Sequence, residues 1–194
     1  MGKWIIEPQH ELLKNEKILF EGENNEGLWS DRSHSTVNFL WNENNVYVMD
    51  NHLAAGWCWL QICSSNEAYN FLHIDQHSDD VDLVPDKYNI DLLRNTLLNT
   101  SIEEYSNIHI EDFQIFNCDS YIRPIARAFP KWFEECKFAI SCQHKIFLNN
   151  YNGPHDYLNK PAFIYAQEVL ELLKDLKTDK RWIVNIDLDY LYNI

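Results

Sequence analysis

The segment FLHIDQHSDD (71–80) places ionisable side chains at alternate positions directly behind an apolar run. Its alternating members are His73, Asp75, His77 and Asp79. In a β-strand, residues two apart point to the same face, so these four side chains would share one face. Carboxylates that pack together without a partner repel one another. A bound metal cation removes that repulsion, so the pattern predicts a metal site.

Polar residues also follow two other apolar runs. Asp187 and Asp189 come directly after WIVNI and are again two apart, and His52 comes shortly after VYVM. A single zinc ion is usually satisfied by three or four ligands, so a larger set favours two cations. Oxygen-rich ligation with some imidazole favours manganese or a similar divalent ion. The predicted ligands are His52, Asp75, His77, Asp79, Asp187 and Asp189.

Strand-like and helix-like patterns alternate from residue 46 onward. The predicted strands are 46–49, 71–75, 112–117, 137–142 and 181–187, with shorter ones at 3–7 and 17–22. The predicted helices are 52–65, 89–99, 121–136 (interrupted by Pro124 and Pro130) and 161–177, and 21–35 is a predicted loop. Such alternation implies parallel pairing and a sheet covered on both faces. We therefore predict one α/β domain over residues 1–194, a three-layer α/β/α fold whose ligands gather at the carboxyl ends of the strands.

Composition excludes several classes of function. The net charge of −14 argues against nucleic-acid binding, because phosphate contacts need a basic surface, and it favours cationic ligands instead. No apolar run approaches the roughly 18 residues of a membrane span. The five cysteines are odd in number and form no CxxC pair, so we expect reduced thiols and a cytoplasmic protein without disulfides. The oligomeric state stays open.

Three motifs together resemble a known family. DQHSD (75–79) resembles the Asp-x-His-x-Asp signature of the ureohydrolases, the arginase and agmatinase superfamily. NIDLD (185–189) resembles their Asp-x-Asp signature, and DNH (50–52) resembles the end of their Gly-Gly-Asp-His segment. The match extends over residues 46–189 and is most similar to the small peptide arginases, which convert arginine residues within a precursor peptide to ornithine. The resemblance implies an abbreviated arginase-like fold.

The resemblance also implies a role for each predicted ligand. Asp75 and Asp187 would bridge two manganese ions. The other four ligands would complete the ions, His52 and Asp79 at one and His77 and Asp189 at the other. A bridging water would lose a proton, because two cations lower its pKa, and the hydroxide would attack the guanidinium carbon of a peptidyl arginine. The products would be ornithine and urea.

The reaction also needs a group that orients the hydroxide and a proton donor for the departing amine. By the same resemblance, Asp79 would orient the hydroxide. A histidine is the usual proton donor. His144, which follows a predicted strand, is the first candidate, and His155, in the predicted loop 149–157, is the second.

The chain departs from the family pattern at two places that bear on the site. Val48 and Met49 stand where the family has Gly-Gly, and one extra residue separates Asp50 from His52. The sequence ends at Ile194, whereas larger arginases continue and supply a glutamate that holds the guanidinium. We therefore expect other residues to contact the substrate. The candidates are Asn117, Asp119 and Asp80.

Two other functions stay open. One is an arginase-fold amidohydrolase or deacetylase that uses a single zinc ion and acts on another cationic substrate. The other is a non-catalytic, metal-dependent module that binds a basic peptide. Two residues near the motifs have simpler interpretations: we expect His73 to be a buried, hydrogen-bonded core histidine and Asp50 to be a cap or a supporting group rather than a ligand.

Overall fold

The computed structural model describes residues 2–8, 36–140, 162–164, 168–176 and 179–188. The predicted strand 17–22 and the predicted loops 21–35 and 149–157 lie outside the described residues. So do Asp189, His144 and His155.

The described residues contain both helices and strands. The strands are β1 (Lys3–Ile6), β2 (Leu40–Glu43), β3 (Val46–Met49), β4 (Asn70–Ile74), β5 (His109–Ile110), β6 (Phe113–Gln114), β7 (Cys136–Ala139), β8 (Ala162–Ile164) and β9 (Trp182–Ile186). The helices are α1 (Leu53–Ile62), α2 (Ile90–Leu97), α3 (Ile102–Tyr105), α4 (Ile122–Ala128) and α5 (Val169–Asp175), with a 3-10 helix at Pro130–Phe133.

Four strands form a parallel sheet in the order β8-β7-β4-β9. All five residues of β4 are buried, as expected for a parallel strand that is covered on both faces. The register places His73 of β4 beside Phe138 of β7 on one side and Asn185 of β9 on the other. The predicted α/β class with a parallel sheet is therefore confirmed.

Apolar side chains are buried on both faces of β4. Phe71 belongs to the larger core cluster, where its ring lies 5.3 Å from Trp59 of α1 and 4.9 Å from Phe133 of the 3-10 helix. Leu72 and Ile74 point to the opposite face and pack in a second cluster with Val169 of α5. His73 and Asp75 share the face of Phe71, so the predicted ligands project on the α1 side of the sheet.

Helix α1 is apolar around most of its circumference, which is typical of a buried helix. Its packing is close, because a Cβ atom added at Gly56 would overlap the hydroxyl of Tyr105. Helix α4 ends before Pro130, and Pro130 opens the 3-10 helix, as predicted from the inability of proline to continue a helix.

Three of the predicted elements differ in the structure. The 46–49 strand exists as β3, but it pairs antiparallel with β2 and belongs to a separate sheet with β1. Its connection from β2 is a two-residue turn, and so short a turn can join only antiparallel strands. The prediction of a strand over 112–117 is wrong for most of its length. Only Phe113–Gln114 forms a strand, in a small hairpin with β5.

The prediction of a helix over 161–177 is wrong at its start. Residues Ala162–Ile164 form strand β8, which pairs with β7, and the helix begins only at Val169. A short apolar run such as AFI fits a buried strand as well as a helix, so its pattern alone did not separate the two.

Within the described part of the chain, no helix is both long and apolar enough to cross a membrane. Among the described residues, Cys58, Cys63 and Cys136 are free thiols. Burial raises the pKa of Cys63 and of Cys136 to about 12, so both thiols are protonated at neutral pH. Cys142 lies outside the described residues.

Candidate metal centre

Two aspartates extend adjacent parallel strands by one residue. The backbone N–H of Asp75, directly after β4, donates to the carbonyl of Ala139 at 3.0 Å. The backbone N–H of Asp187, directly after β9, donates to the carbonyl of Ile74 at 2.8 Å. The sheet ladder therefore places both carboxylates side by side at the carboxyl edge, where ligands of parallel sheets gather.

His52 reaches the same edge from the turn that opens α1. The two residues before it hold this turn. The Asp50 carboxylate accepts from the backbone N–H groups of Asn38 (2.9 Å) and Phe39 (3.1 Å), and the Asn51 side chain accepts from the N–H of Leu53 at 3.0 Å. Asp50 is thus a supporting group, as predicted, and it fixes the position from which His52 projects.

His52 lies among three of the predicted carboxylate ligands. Its Nδ1 is 2.9 Å from Asp79 Oδ2 and 3.6 Å from Asp75 Oδ2, and its Nε2 is 2.9 Å from Asp187 Oδ2. One ligand atom each of His52, Asp75 and Asp79 lies within 4.8 Å of the others, so these three could hold a metal ion. Four of the six predicted ligands, from three separate segments, therefore come together in the structure.

Asp75 is the most deeply buried of these carboxylates, with no exposed surface. Its Oδ1 accepts from the backbone N–H of His77 at 2.7 Å. Its Oδ2 accepts no hydrogen bond from any residue that the structure describes. Burial raises the pKa of Asp75, because a desolvated negative charge is unfavourable. A buried carboxylate oxygen without a donor is the kind of atom that a cation satisfies.

Asp79 occupies a left-handed backbone conformation, with φ of 45°, in the loop after β4. Such a conformation is uncommon outside glycine and is retained where the surrounding structure enforces it. Two buried arginines of α4 hold this loop. Arg123 donates to the backbone carbonyl of Asp80 and, at 2.7 Å, to its carboxylate, while Arg127 donates to the Asp82 carboxylate at 3.2 Å. The two arginines of α4 therefore fix the loop that follows Asp79.

His77 lies at the margin of the cluster. Its side chain is 54% exposed, and its Nδ1 is 3.5 Å from Asp75 Oδ1. It is near the other ligands, but it is not one of the three residues that form the compact group. Its predicted partner at the same ion, Asp189, lies outside the described residues, so the second ion site stays a prediction.

The predicted substrate residues lie around the turn at 117–120 and the loop beside it. The Asn117 side chain accepts from the backbone N–H of Asp119 at 3.2 Å, which is the hydrogen bond of an Asx-turn. Asp119 is exposed, and its carbonyl accepts from Val81 at 3.0 Å. Asp80 is paired with Arg123. Contact of Asn117, Asp119 or Asp80 with a substrate stays a prediction.

Sequence reasoning missed the residues that support the ligands. Tyr121 is fully buried and donates to Asp79 Oδ2 at 3.3 Å, and Asn185 donates to the Tyr121 hydroxyl at 2.9 Å. Strand alternation could have identified Asn185, which shares a face with Asp187. His73 is buried and hydrogen-bonded, as predicted, and burial lowers its pKa.

Comparison with known proteins adds no relative. No protein-family model matches the chain, and no significant match is found among curated proteins or solved structures. The motif resemblance and the geometry of the site therefore carry the functional interpretation.

Proposed function

We propose that this protein is a manganese-dependent hydrolase with a two-ion site and an abbreviated arginase-like, three-layer fold. Its substrate is an arginine-containing peptide, and it cleaves the guanidino group of the arginine side chain to give ornithine and urea. The observation that carries this proposal is the convergence of His52, Asp75, Asp79 and Asp187 at the carboxyl edge of the parallel sheet. The free thiols support a cytoplasmic location.

The residues at the edge fit a divalent cation. Carboxylate oxygens with one imidazole are the ligand types that suit manganese, and Asp75 Oδ2 is buried without a hydrogen-bond donor among the described residues. His52, Asp75, Asp79 and Asp187 would hold the metal in the described part of the chain. His77 and Asp189 would complete the second ion, as the motif resemblance implies.

Bound divalent ions supply a water of lowered pKa and polarise the group under attack. The chain's own residues must then place the reactants. Asp79, whose carboxylate is fixed by Tyr121, would orient the attacking oxygen. The acidic surface favours a guanidinium substrate, because the net charge is −14. His144 or His155 would give a proton to the departing amine.

The reaction is tested with metal-free protein that is reloaded with Mn²⁺ and incubated with arginine-bearing peptides. We expect release of urea and loss of CH2N2 from the peptide for each modified arginine. Asp79→Asn removes a predicted ligand charge and should abolish both signals. Asp112→Asn, which alters an exposed aspartate in the turn between β5 and β6, is the matched control and should retain them. Unchanged peptide mass with the Mn²⁺-loaded wild-type protein would contradict the proposal.

One observation favours a second candidate, a hydrolase of this fold that uses a single ion. Only His52, Asp75 and Asp79 form a compact group in the described part of the chain, and His77 is 54% exposed. Such an enzyme would release an acyl group from a cationic substrate. One ion per chain by elemental analysis, with no urea, would favour this candidate. Metal-dependent peptide binding without turnover would instead indicate the non-catalytic module.

A further inference from the structure

A chain of buried and partly buried hydrogen bonds runs beside the candidate metal centre. Tyr121 donates to Asp79 Oδ2 at 3.3 Å, and the Asn185 Nδ2 lies 2.9 Å from the Tyr121 hydroxyl and 3.0 Å from His73 Nδ1. The other ring nitrogen of His73, Nε2, lies 3.2 Å from the carbonyl of His77. These hydrogen bonds therefore connect Asp79 to His73 and Asn185, which precede Asp75 and Asp187 on their strands.

Chemistry fixes the direction of every bond in this chain. An ionised Asp79 can only accept, so the single proton of the Tyr121 hydroxyl points to it. The tyrosine oxygen must then accept from Asn185, whose amide nitrogen carries two protons and donates the second to His73 Nδ1. His73 Nε2 consequently carries the ring proton and donates it to the His77 carbonyl. A chain with one permitted direction has one low-energy arrangement of its side chains.

Tyr121 is placed to act on two predicted ligands. It is fully buried, and its ring lies 6.1 Å from the His52 ring and 5.7 Å from the Trp59 ring. Its hydroxyl restrains rotation of the Asp79 carboxylate, while its ring borders the imidazole that contacts the same carboxylate. Packing against Trp59 of α1 holds the tyrosine ring itself.

We propose that Tyr121 and Asn185 are positioning residues for metal binding, with Asn185 acting through Tyr121 and His73 closing the chain. This inference rests on the proposed function, because it assumes a divalent ion at Asp79. Polar groups that orient metal ligands typically account for about 10- to 100-fold in metal affinity. Neither residue needs to touch the ion or the substrate.

The test is titration of metal-free protein with Mn²⁺, with the free ion followed by electron paramagnetic resonance. Tyr121→Phe removes only the hydroxyl and should weaken Mn²⁺ binding about 10- to 100-fold. The matched control is Tyr105→Phe. Tyr105 is equally buried, and its hydroxyl has no hydrogen-bond partner within the described residues, so the control should leave the affinity unchanged.

A second variant tests the connection between the two residues. Asn185→Leu should also weaken Mn²⁺ binding, but it should add little in the Tyr121→Phe background, because its effect passes through the tyrosine. Purely structural roles would give independent, additive losses in the double variant, and that result would overturn the proposal. Circular dichroism of the metal-free variants checks that all of them are folded.

The outcomes separate this inference from the proposed function. If the wild-type protein binds no Mn²⁺, the proposed function and the positioning role both fail. If the wild-type protein binds Mn²⁺ and Tyr121→Phe binds it as tightly as Tyr105→Phe does, the positioning role fails alone.

Discussion

Four aspartates within one short stretch of chain have two different kinds of partner. Asp80 and Asp82 are paired with Arg123 and Arg127, at 2.7 Å and 3.2 Å. Asp75 and Asp79, the histidine-paired aspartates, lie within ion-pair distance of histidines alone among the described residues. The boundary between the two groups falls at the peptide bond that joins Asp79 to Asp80.

Under the proposed function, this difference separates the aspartates that fix the loop from the aspartates that would bind the metal. Arginine is permanently charged and offers a rigid fork of donors, so an arginine-paired aspartate has little capacity left for a cation. Neutral histidine can itself ligate a metal, so it competes less and can join the same coordination sphere. The arginine-paired aspartates, Asp80 and Asp82, therefore fix the loop, and the histidine-paired aspartates stay available to an ion.

Arg127→Met should have the largest effect on stability. The side chain is 1% exposed and pairs with Asp82, and it also donates to the backbone carbonyls of Val84 and Pro85. Removing one partner of a buried pair typically costs about 3–5 kcal/mol of unfolding free energy. Urea denaturation measures the loss. The control is Lys174→Met, in an exposed pair with Glu171, which should change stability by less than about 0.5 kcal/mol. Equal effects of the two substitutions would contradict the proposal that the arginine-paired aspartates fix the loop.

Asp75→Asn should change stability in the opposite direction. In the metal-free protein it removes a buried charge whose Oδ2 accepts no hydrogen bond within the described residues, while Oδ1 can still accept from His77. We expect the free energy of unfolding to increase by about 1–3 kcal/mol at neutral pH, as measured by urea denaturation.

The pH dependence of that gain follows from the raised pKa of Asp75, which burial causes. The ionised side chain destabilises the fold, so the wild-type protein is penalised above the raised folded-state pKa and not below the ordinary carboxyl pKa. The gain from Asp75→Asn should therefore vanish as the pH falls through this interval. A loss of stability at neutral pH would show that Asp75 is a structural residue like Asp82.

Asp82→Asn should have the smallest effect on metal binding. The substitution weakens the pair with Arg127 and lowers thermal stability, but it leaves the carboxylates around His52 in place. Contributions from separate sites are nearly independent, so Mn²⁺ affinity should stay within about twofold of the wild-type value. Isothermal titration calorimetry at a temperature where the variant is folded provides the measurement. A large loss of affinity would mean that the two groups of aspartates are coupled.

Sequence patterns predicted the edge of the sheet that carries the site. The apolar runs of β4 and β9 are distinct, and the polar residues directly after them had to lie side by side once the strands paired in parallel. Asp75 and Asp187 were therefore accessible to prediction, and the motif spacing added His52 and Asp79. The pairing partners of β3 and the strand at 162–164 were harder to predict. A short apolar run determines neither the hydrophobic period of the element nor the strand with which it pairs.

The supporting residues could not be predicted for a different reason. Arg123 and Arg127 lie at i and i+4 on α4, so their common face is visible in the sequence, but their partners in the loop after β4 are set by tertiary packing alone. Tyr121 is a buried aromatic residue near a helix start, and nothing in its neighbours distinguishes it from a core residue. Its role emerges only from the position of its hydroxyl beside Asp79.

Calorimetric titration of metal-free protein with Mn²⁺, for the wild type and Asp75→Asn in parallel, tests the central claim most directly. The wild-type protein should bind about two Mn²⁺ ions per chain, as in two-metal hydrolytic sites, and Asp75→Asn should bind none with comparable affinity while remaining folded. Wild-type protein that binds no Mn²⁺, or Asp75→Asn that binds it as tightly as the wild type, would contradict the account.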